Sequence, residues 1–374
     1  MKKIKIAHIN NISQLSGSQL VTISILKNLD SNKYEKYILC GLDEKNFDVF
    51  SDTCLKYGIN LIILKNQKRE LSFLDFNYFF ELIFLIKLHK FNIVHTNSSK
   101  PGLFGRVAAK FCKVGLIVHT VHGISFHRGQ LFLKRFIFYA LELFGGLFSN
   151  KIILVNNYYK KYYKIFGKKI ITIYNGLLFQ DCPLNVIRSK SSKIRILFLS
   201  RFESQKDPIS FLKAILYLKI NHNNLYNKIS VKMVGDGDLI SHCLSFKEIN
   251  ELDVVDILPW ASNKWDFYSD ADIFCVPSIH EAFGIVFLEA GYMSIPVVST
   301  LVEGIPEVVI NGVTGLLSEP RNYISLANNI LELLEDEKKA KFLGNNARKF
   351  IMKEFNFNSS FNQYLKIYSS FKYV

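Results

Sequence analysis

The sequence predicts an α/β protein made of two doubly wound, Rossmann-like domains facing across a cleft. Three observations predict it. The chain has 374 residues, too many for one ordinary core and comfortable for two. Short β-rich runs alternate with longer helical patterns, the mark of a parallel sheet covered on both faces. The alternation breaks once, near residue 180, and then restarts.

In the first half the β-rich runs are Ile4–Ile9, Tyr37–Cys40, Leu61–Leu64, Ile93–Thr96, Ile117–Val121, Ile152–Val155 and Ile170–Tyr174. After Asn175-Gly176 the rhythm is lost, and residues 180–193, with Pro183 and the cluster Arg188–Lys193, read as a linker. The second series is Ile196–Leu199, Ser230–Val234, Val254–Leu258, Ile273–Val276 and Val297–Ser299, followed by helices near Tyr323–Leu334 and Lys338–Glu354. This divides the chain into domains 1–182 and 183–355, with an aromatic tail, 356–374, expected to pack back toward the first domain. Ligands of such sheets sit beyond the carboxyl ends of the strands, so the residues that follow strands are the ones to examine.

Composition sets the class. Apolar residues make up 49% of the chain, which fits a packed globular protein. The net charge is +15, from 47 Lys plus Arg against 32 Asp plus Glu. This excess suits nucleic acid, anionic lipid or phosphorylated substrates, and a uniformly basic surface is the remaining account. None of the six cysteines forms a C-x-x-C pair, so free thiols in a reducing cytoplasm are expected. The N-terminus enters a strand pattern without the apolar run of a signal peptide. The two greasiest stretches, Phe73–Leu88 and Leu131–Phe148, are each broken by charges, so neither supplies the run of about 20 apolar residues that spanning needs. Their aromatics and the basic charge instead favour peripheral association with an anionic membrane on its cytoplasmic face.

Five segments follow strands. In Leu199–Pro208, Arg201 and Lys206 stand in a strand-to-helix loop, where two cations suit a diphosphate; two solvated surface cations are the alternative. In Val276–Ala290, a loop carries Glu281 and a helix opens near Gly284. The amides of Phe283, Gly284 and Ile285 would point at an anion. Glu289 lies in an apolar stretch, where a carboxylate needs donors such as a ribose diol, unless it faces solvent. Val234–Leu239 begins like G-x-G-x-x-G but fails the fingerprint at Ile240. Its Asp236-Gly237-Asp238 imitates a metal-holding D-x-D, yet Gly235 and Gly237 suit a tight turn with aspartates as local acceptors. In Val118–Gly129, His122 stands at a strand end before Gly123, while His119, inside the strand, reads as structural. Last, Gln14–Gln19 is a small loop after the first strand.

Taken together, these segments resemble the glycosyltransferase family 4 group of retaining enzymes with the GT-B fold, over nearly the whole chain and most densely from Ile196 to Leu317. The matching pieces are Arg201 and Lys206; Val234 to Gly237; Pro277-Ser278 through Glu281 and Gly284 to Glu289; Pro296-Val297-Val298; and Gly304 through Gly312 to Gly315-Leu316-Leu317. The resemblance implies that Arg201 and Lys206 neutralise the donor diphosphate and that Glu289 binds the ribose. It implies that Glu281, with the Phe283 and Gly284 amides, holds the transferred sugar. His122 matches a T-x-H-G position near the reacting carbon, and Gly17 matches the first-loop glycine. There the chain departs, with Ser16-Gly17-Ser18-Gln19 where many members have Gly-Gly-x-Glu.

The activity so implied is transfer of a hexose or N-acetylhexosamine from a nucleotide diphosphate sugar, UDP- or GDP-linked, to a glycan or lipid-linked acceptor. No cofactor or metal is expected, because the fixed cations already serve the phosphates. Nucleic acid is not the expected partner. The competing readings are a nucleotide-sugar epimerase, a basic nucleic-acid or membrane binder using Tyr158–Lys164, and a sugar-binding protein without turnover.

Overall fold

The computed structural model describes residues 3–68, 75–127, 129–183, 191–260 and 263–371. Much of the linker at 180–193, its residues 184–190, and the first two residues of the apolar stretch 73–88 lie outside the described residues. The chain divides into two compact units, residues 1–174 with 360–374, and residues 175–359.

The first unit alternates β1 (Ile4–Ile12), α1 (Gly17–Asn28), β2 (Tyr34–Gly41), α2 (Phe47–Lys56), β3 (Asn60–Leu64), α3 (Asp75–His89), β4 (Ile93–Asn97), α4 (Ser99–Phe111), β5 (Leu116–Val121), α5 (Phe132–Leu147), β6 (Lys151–Leu154), the short α6 (Lys160–Tyr163) and β7 (Ile170–Thr172). All pairings are parallel, in the order β3-β2-β1-β4-β5-β6-β7. The order reverses between β1 and β4, so their carboxyl ends frame the binding edge.

The second unit repeats the plan. It runs α7 (Pro208–Asn221) after β8 (Ile194–Leu199), then α8 (Asn223–Tyr226), β9 (Ile229–Val234), α9 (Ile240–Ile249), β10 (Val255–Leu258), α10 (Lys264–Ser269), β11 (Ile273–Cys275), α11 (Ile285–Tyr292), β12 (Val297–Thr300), α12 (Ile305–Val308), β13 (Gly315–Ser318), α13 (Tyr323–Glu335) and α14 (Glu337–Glu354). The sheet order is β10-β9-β8-β11-β12-β13, again all parallel, and it reverses between β8 and β11.

Two boundaries differ from the sequence reading, one at the linker and one at the tail, where the chain returns to the first unit at Ser360 rather than at 356. The units part at Tyr174/Asn175 rather than at 182/183, because the chain after the Asn-Gly pair already packs on the second unit. Leu177 N–H donates to Phe355 O, Phe357 N–H donates to Leu177 O, and Phe179 stacks on Tyr292. The aromatic tail is a helix, α15 (Phe357–Ser369), whose Tyr364, Ile367 and Tyr368 join the first unit's core.

Two of the charges that break the apolar stretches, Asp75 and Glu142, point inward. Asp75 of α3 pairs with Lys100 of α4 (2.6 Å), both nearly buried. Glu142 of α5 accepts from the fully buried Arg106 of α4 (3.1 Å). Removing one partner of such a buried pair costs about 3–5 kcal/mol. The same two helices turn apolar residues outward, Phe76, Phe80 and Phe84 on α3 and Phe132, Phe136 and Phe144 on α5. Both helices flank α4. No helix among the described residues is long and apolar enough to cross a membrane.

Candidate functional site

The second unit assembles its site where β8 and β11 end. Asp207 caps α7, accepting from Ser210 N–H (3.2 Å), with Pro208 as the first helical residue. This fixes where the loop Ser200–Lys206 stops. The loop after β11 is clasped to it: Ile279 N–H donates to Gln205 O (2.8 Å), and Gln205 Nε2 donates to His280 O (2.9 Å). Lys206 and Glu281, far apart in sequence and both largely buried, then meet as an ion pair. Gly284 follows in the left-handed region (φ 79°) and caps α11. A Cβ there would crowd the Phe287 ring at 2.4 Å, so only glycine lets the helix begin at this point. Arg201, partly exposed, is held by Glu203 (2.8 Å).

Gly235 and Gly237 are explained by packing. A Cβ on Gly235 would stand 2.0 Å from Ser200 O, and one on Gly237 would stand 2.6 Å from Phe202 O. The turn after β9 is pressed against the Arg201 loop, with Phe202 N–H donating to Asp236 O (2.8 Å). Asp236 Oδ1 accepts from Gly237 N–H (2.9 Å), the local acceptor role expected of a turn aspartate. Asp236 and Asp238 are exposed.

Glu289 does not face solvent. It is 4% exposed, accepting from the buried Tyr268 hydroxyl (2.9 Å) and from Lys264. Sequence reading missed both partners. Their signal is the α10 segment, where Lys264 and Tyr268 stand one helical turn apart.

The first unit's strand ends carry a neutral network instead. His122 Nε2 donates to Asn97 Oδ1 (3.0 Å), and Asn97 Nδ2 donates to Asn10 Oδ1 (2.8 Å). The Tyr368 hydroxyl bridges His8 Nε2 (3.1 Å) and His95 Nδ1 (2.6 Å), and His95 Nε2 meets Thr120 Oγ1 (2.7 Å). Burial lowers the His122 pKa to about 4 and that of His8 to about 3, His122's proximity adding to the latter. His119 is buried against Thr96 Oγ1 (2.9 Å), a structural place. Next to Asn97, Ser98 adopts φ 67°, a conformation costing about 1–3 kcal/mol, where α4 begins. Gly17 opens α1, exposed. Gln19, in place of the family's Glu, is spent on its own loop, donating to Ile12 O (3.1 Å) and accepting from Ser16 and Ser18. His8, Asn10, Asn97 and Tyr368 escaped sequence reading, since their partners are distant in the chain.

Residues 15–177 match the family described as Glycosyltransferase Family 4, and residues 184–350 match Glycosyl transferases group 1. The chain belongs to the family 4 glycosyltransferases. This glycosyltransferase is 27% identical, over 95% of its length and 94% of the relative's, to the UDP-Gal:alpha-D-GlcNAc-diphosphoundecaprenol alpha-1,3-galactosyltransferase of Escherichia coli. It is 26% identical, over 92% and 93% of the two chains, to the N,N'-diacetylbacillosaminyl-diphospho-undecaprenol alpha-1,3-N-acetylgalactosaminyltransferase of Campylobacter jejuni. Among solved structures, Anabaena HepE in complex with UDP-glucose superposes with a TM-score of 0.81 at 19% identity, covering 98% of this chain and all of that one, which shows the GT-B fold. Membership excludes the epimerase reading. In the stretch Tyr158–Lys164, Tyr159 and Tyr163 are buried while Tyr158 and Tyr162 are half-buried.

Proposed function

We propose that this glycosyltransferase moves a hexose or N-acetylhexosamine from a UDP-linked donor, with GDP as the second choice, to a lipid-diphosphate-linked glycan, with retention of configuration and without a metal. The observation that carries the reading is the Lys206–Glu281 pair beside the N-terminus of α11. Breaking the sugar–phosphate bond builds positive charge on the sugar and negative charge on the leaving diphosphate. Fixed cations and helix amides aimed at the phosphate stabilise that separation without reorganising. In this reading Arg201 and Lys206 hold the diphosphate with the Phe283, Gly284 and Ile285 amides. Glu281, released from Lys206, takes sugar hydroxyls. Glu289 takes the ribose. Gly235 shapes the donor side through the Arg201 loop. In the first unit Gly17 and His122 belong to the acceptor and reacting-carbon side, where a neutral imidazole can accept a hydroxyl hydrogen bond.

The names of the Escherichia coli and Campylobacter jejuni relatives support a diphospho-undecaprenol acceptor, and the first of them supports UDP. The outward aromatics of α3 and α5 support peripheral seating on the membrane that holds such a lipid. Exposed Lys87, Lys110, Lys134, Lys160 and Lys161 on the same unit would meet anionic headgroups there, which supports seating on a cytoplasmic leaflet.

The test uses anionic vesicles with and without a diphospho-undecaprenol-linked sugar. The expected outcome is that the protein floats with the vesicles at low salt and less so at high salt. UDP release from UDP-galactose or UDP-N-acetylgalactosamine should require the loaded vesicles. Equal release with empty vesicles, or none with any nucleotide sugar, contradicts the proposal.

A further inference from the structure

Glu289 is held from two sides, and the two are unlike. From within, the fully buried Tyr268 hydroxyl donates to Oε2 (2.9 Å). Burial, together with the neighbouring Glu289 charge, raises the Tyr268 pKa well above its ordinary value, so this group stays a donor. From without, the partly exposed Lys264 pairs with Oε1. Tyr268 cannot leave; Lys264 stands on the side a ligand can reach.

The chemistry left over is specific. A carboxylate offers about four lone-pair directions, and these contacts use two. An ammonium has N–H donors to spare after one contact. A vicinal diol brings two O–H donors and two acceptor oxygens. We propose that Lys264 is a specificity residue of the nucleotide site: its ammonium donates to a ribose hydroxyl whose own proton goes to Glu289. The two side chains together read an intact ribose diol and reject 2′-deoxyribose, while Tyr268 fixes the carboxylate's orientation. The proposal rests on the nucleotide-sugar reading above. A mere surface ion pair would give no such discrimination, since it would affect both sugars alike.

The experiment is isothermal titration of the full chain with UDP and 2′-deoxy-UDP, and in parallel with GDP and 2′-deoxy-GDP, because the ribose is common to both. The wild-type chain should prefer the ribonucleotide by about tenfold or more, the scale of a hydrogen bond to a charged group. Lys264→Met should lose most of that preference by weakening the ribonucleotide and sparing the deoxynucleotide, and Lys264→Arg should keep it. Unchanged preference in Lys264→Met, or equal weakening of both nucleotides, overturns the proposal while leaving the nucleotide-sugar reading intact. Failure of all four nucleotides to bind the wild-type chain overturns that reading, and the proposal with it.

Discussion

The two units share one sheet topology and solve their strand ends in opposite ways. The second unit places ion pairs there: Arg201 with Glu203, Lys206 with Glu281, and Lys264 with Glu289. The first places a buried network of neutral imidazoles, amides and hydroxyls, from Tyr368 through His8 and His95, and from Asn10 through Asn97 to His122. The difference teaches that the fold supplies only position. A leaving diphosphate needs cations that can be released from their carboxylates to meet it. An acceptor hydroxyl needs neutral groups of fixed orientation.

The comparison breaks most visibly at Lys206. Lys206→Ala removes the cation proposed to meet the diphosphate and leaves Glu281 buried without its partner. Transfer should fall by about 10²–10³, the usual cost of losing one charge-stabilising donor. Glu281→Ala should fall by a similar factor, with circular dichroism unchanged. Transfer at the unmodified rate by both variants contradicts the assignment of the site.

A smaller effect sharpens the other side. The folded chain holds His8, His95, His119 and His122 neutral well below their ordinary value of 6.5. The unfolded chain takes up those protons first as pH falls. Stability from these groups is therefore complete above pH 6.5 and is lost as pH falls from there toward about 4. The loss should approach 1.4 kcal/mol per histidine for each pH unit below 6.5, until the folded group titrates. Thermal melts between pH 7.5 and pH 5 should show a falling Tm. A flat Tm across that range contradicts a buried, neutral network.

What could be read in the sequence follows the range of the interactions. The strand alternation and the Asp207–Pro208 cap are local, and each stands in the structure as its neighbours dictate, whereas Gly235 and Gly237 are required by the distant Ser200 and Phe202. The polarity of α3 and α5 was legible as charges within apolar stretches. That Asp75 and Glu142 turn inward and the aromatics outward depends on Lys100 and Arg106, which sit on another helix. Glu289 stood open between ribose ligand and surface carboxylate because its burial depends on Tyr268 of another helix, α10. The His8–Tyr368 contact joins the first strand to the last helix, and no window of sequence contains both. The tail read as aromatic and as packing toward the first domain, but not as the helix α15, because its core partners lie at the other end of the chain.

In the proposed reading, fixed side chains of the second unit, rather than a metal, carry the charge of the leaving diphosphate. This is tested most directly by the transfer rate of the wild-type chain and of Lys206→Ala in saturating EDTA, each with and without added Mn²⁺. The wild-type rate should be indifferent to chelator and to Mn²⁺, and the Lys206→Ala rate should be slow in every condition. Loss of wild-type transfer in EDTA and its return with Mn²⁺, together with its loss in Asp236→Ala, would contradict that reading.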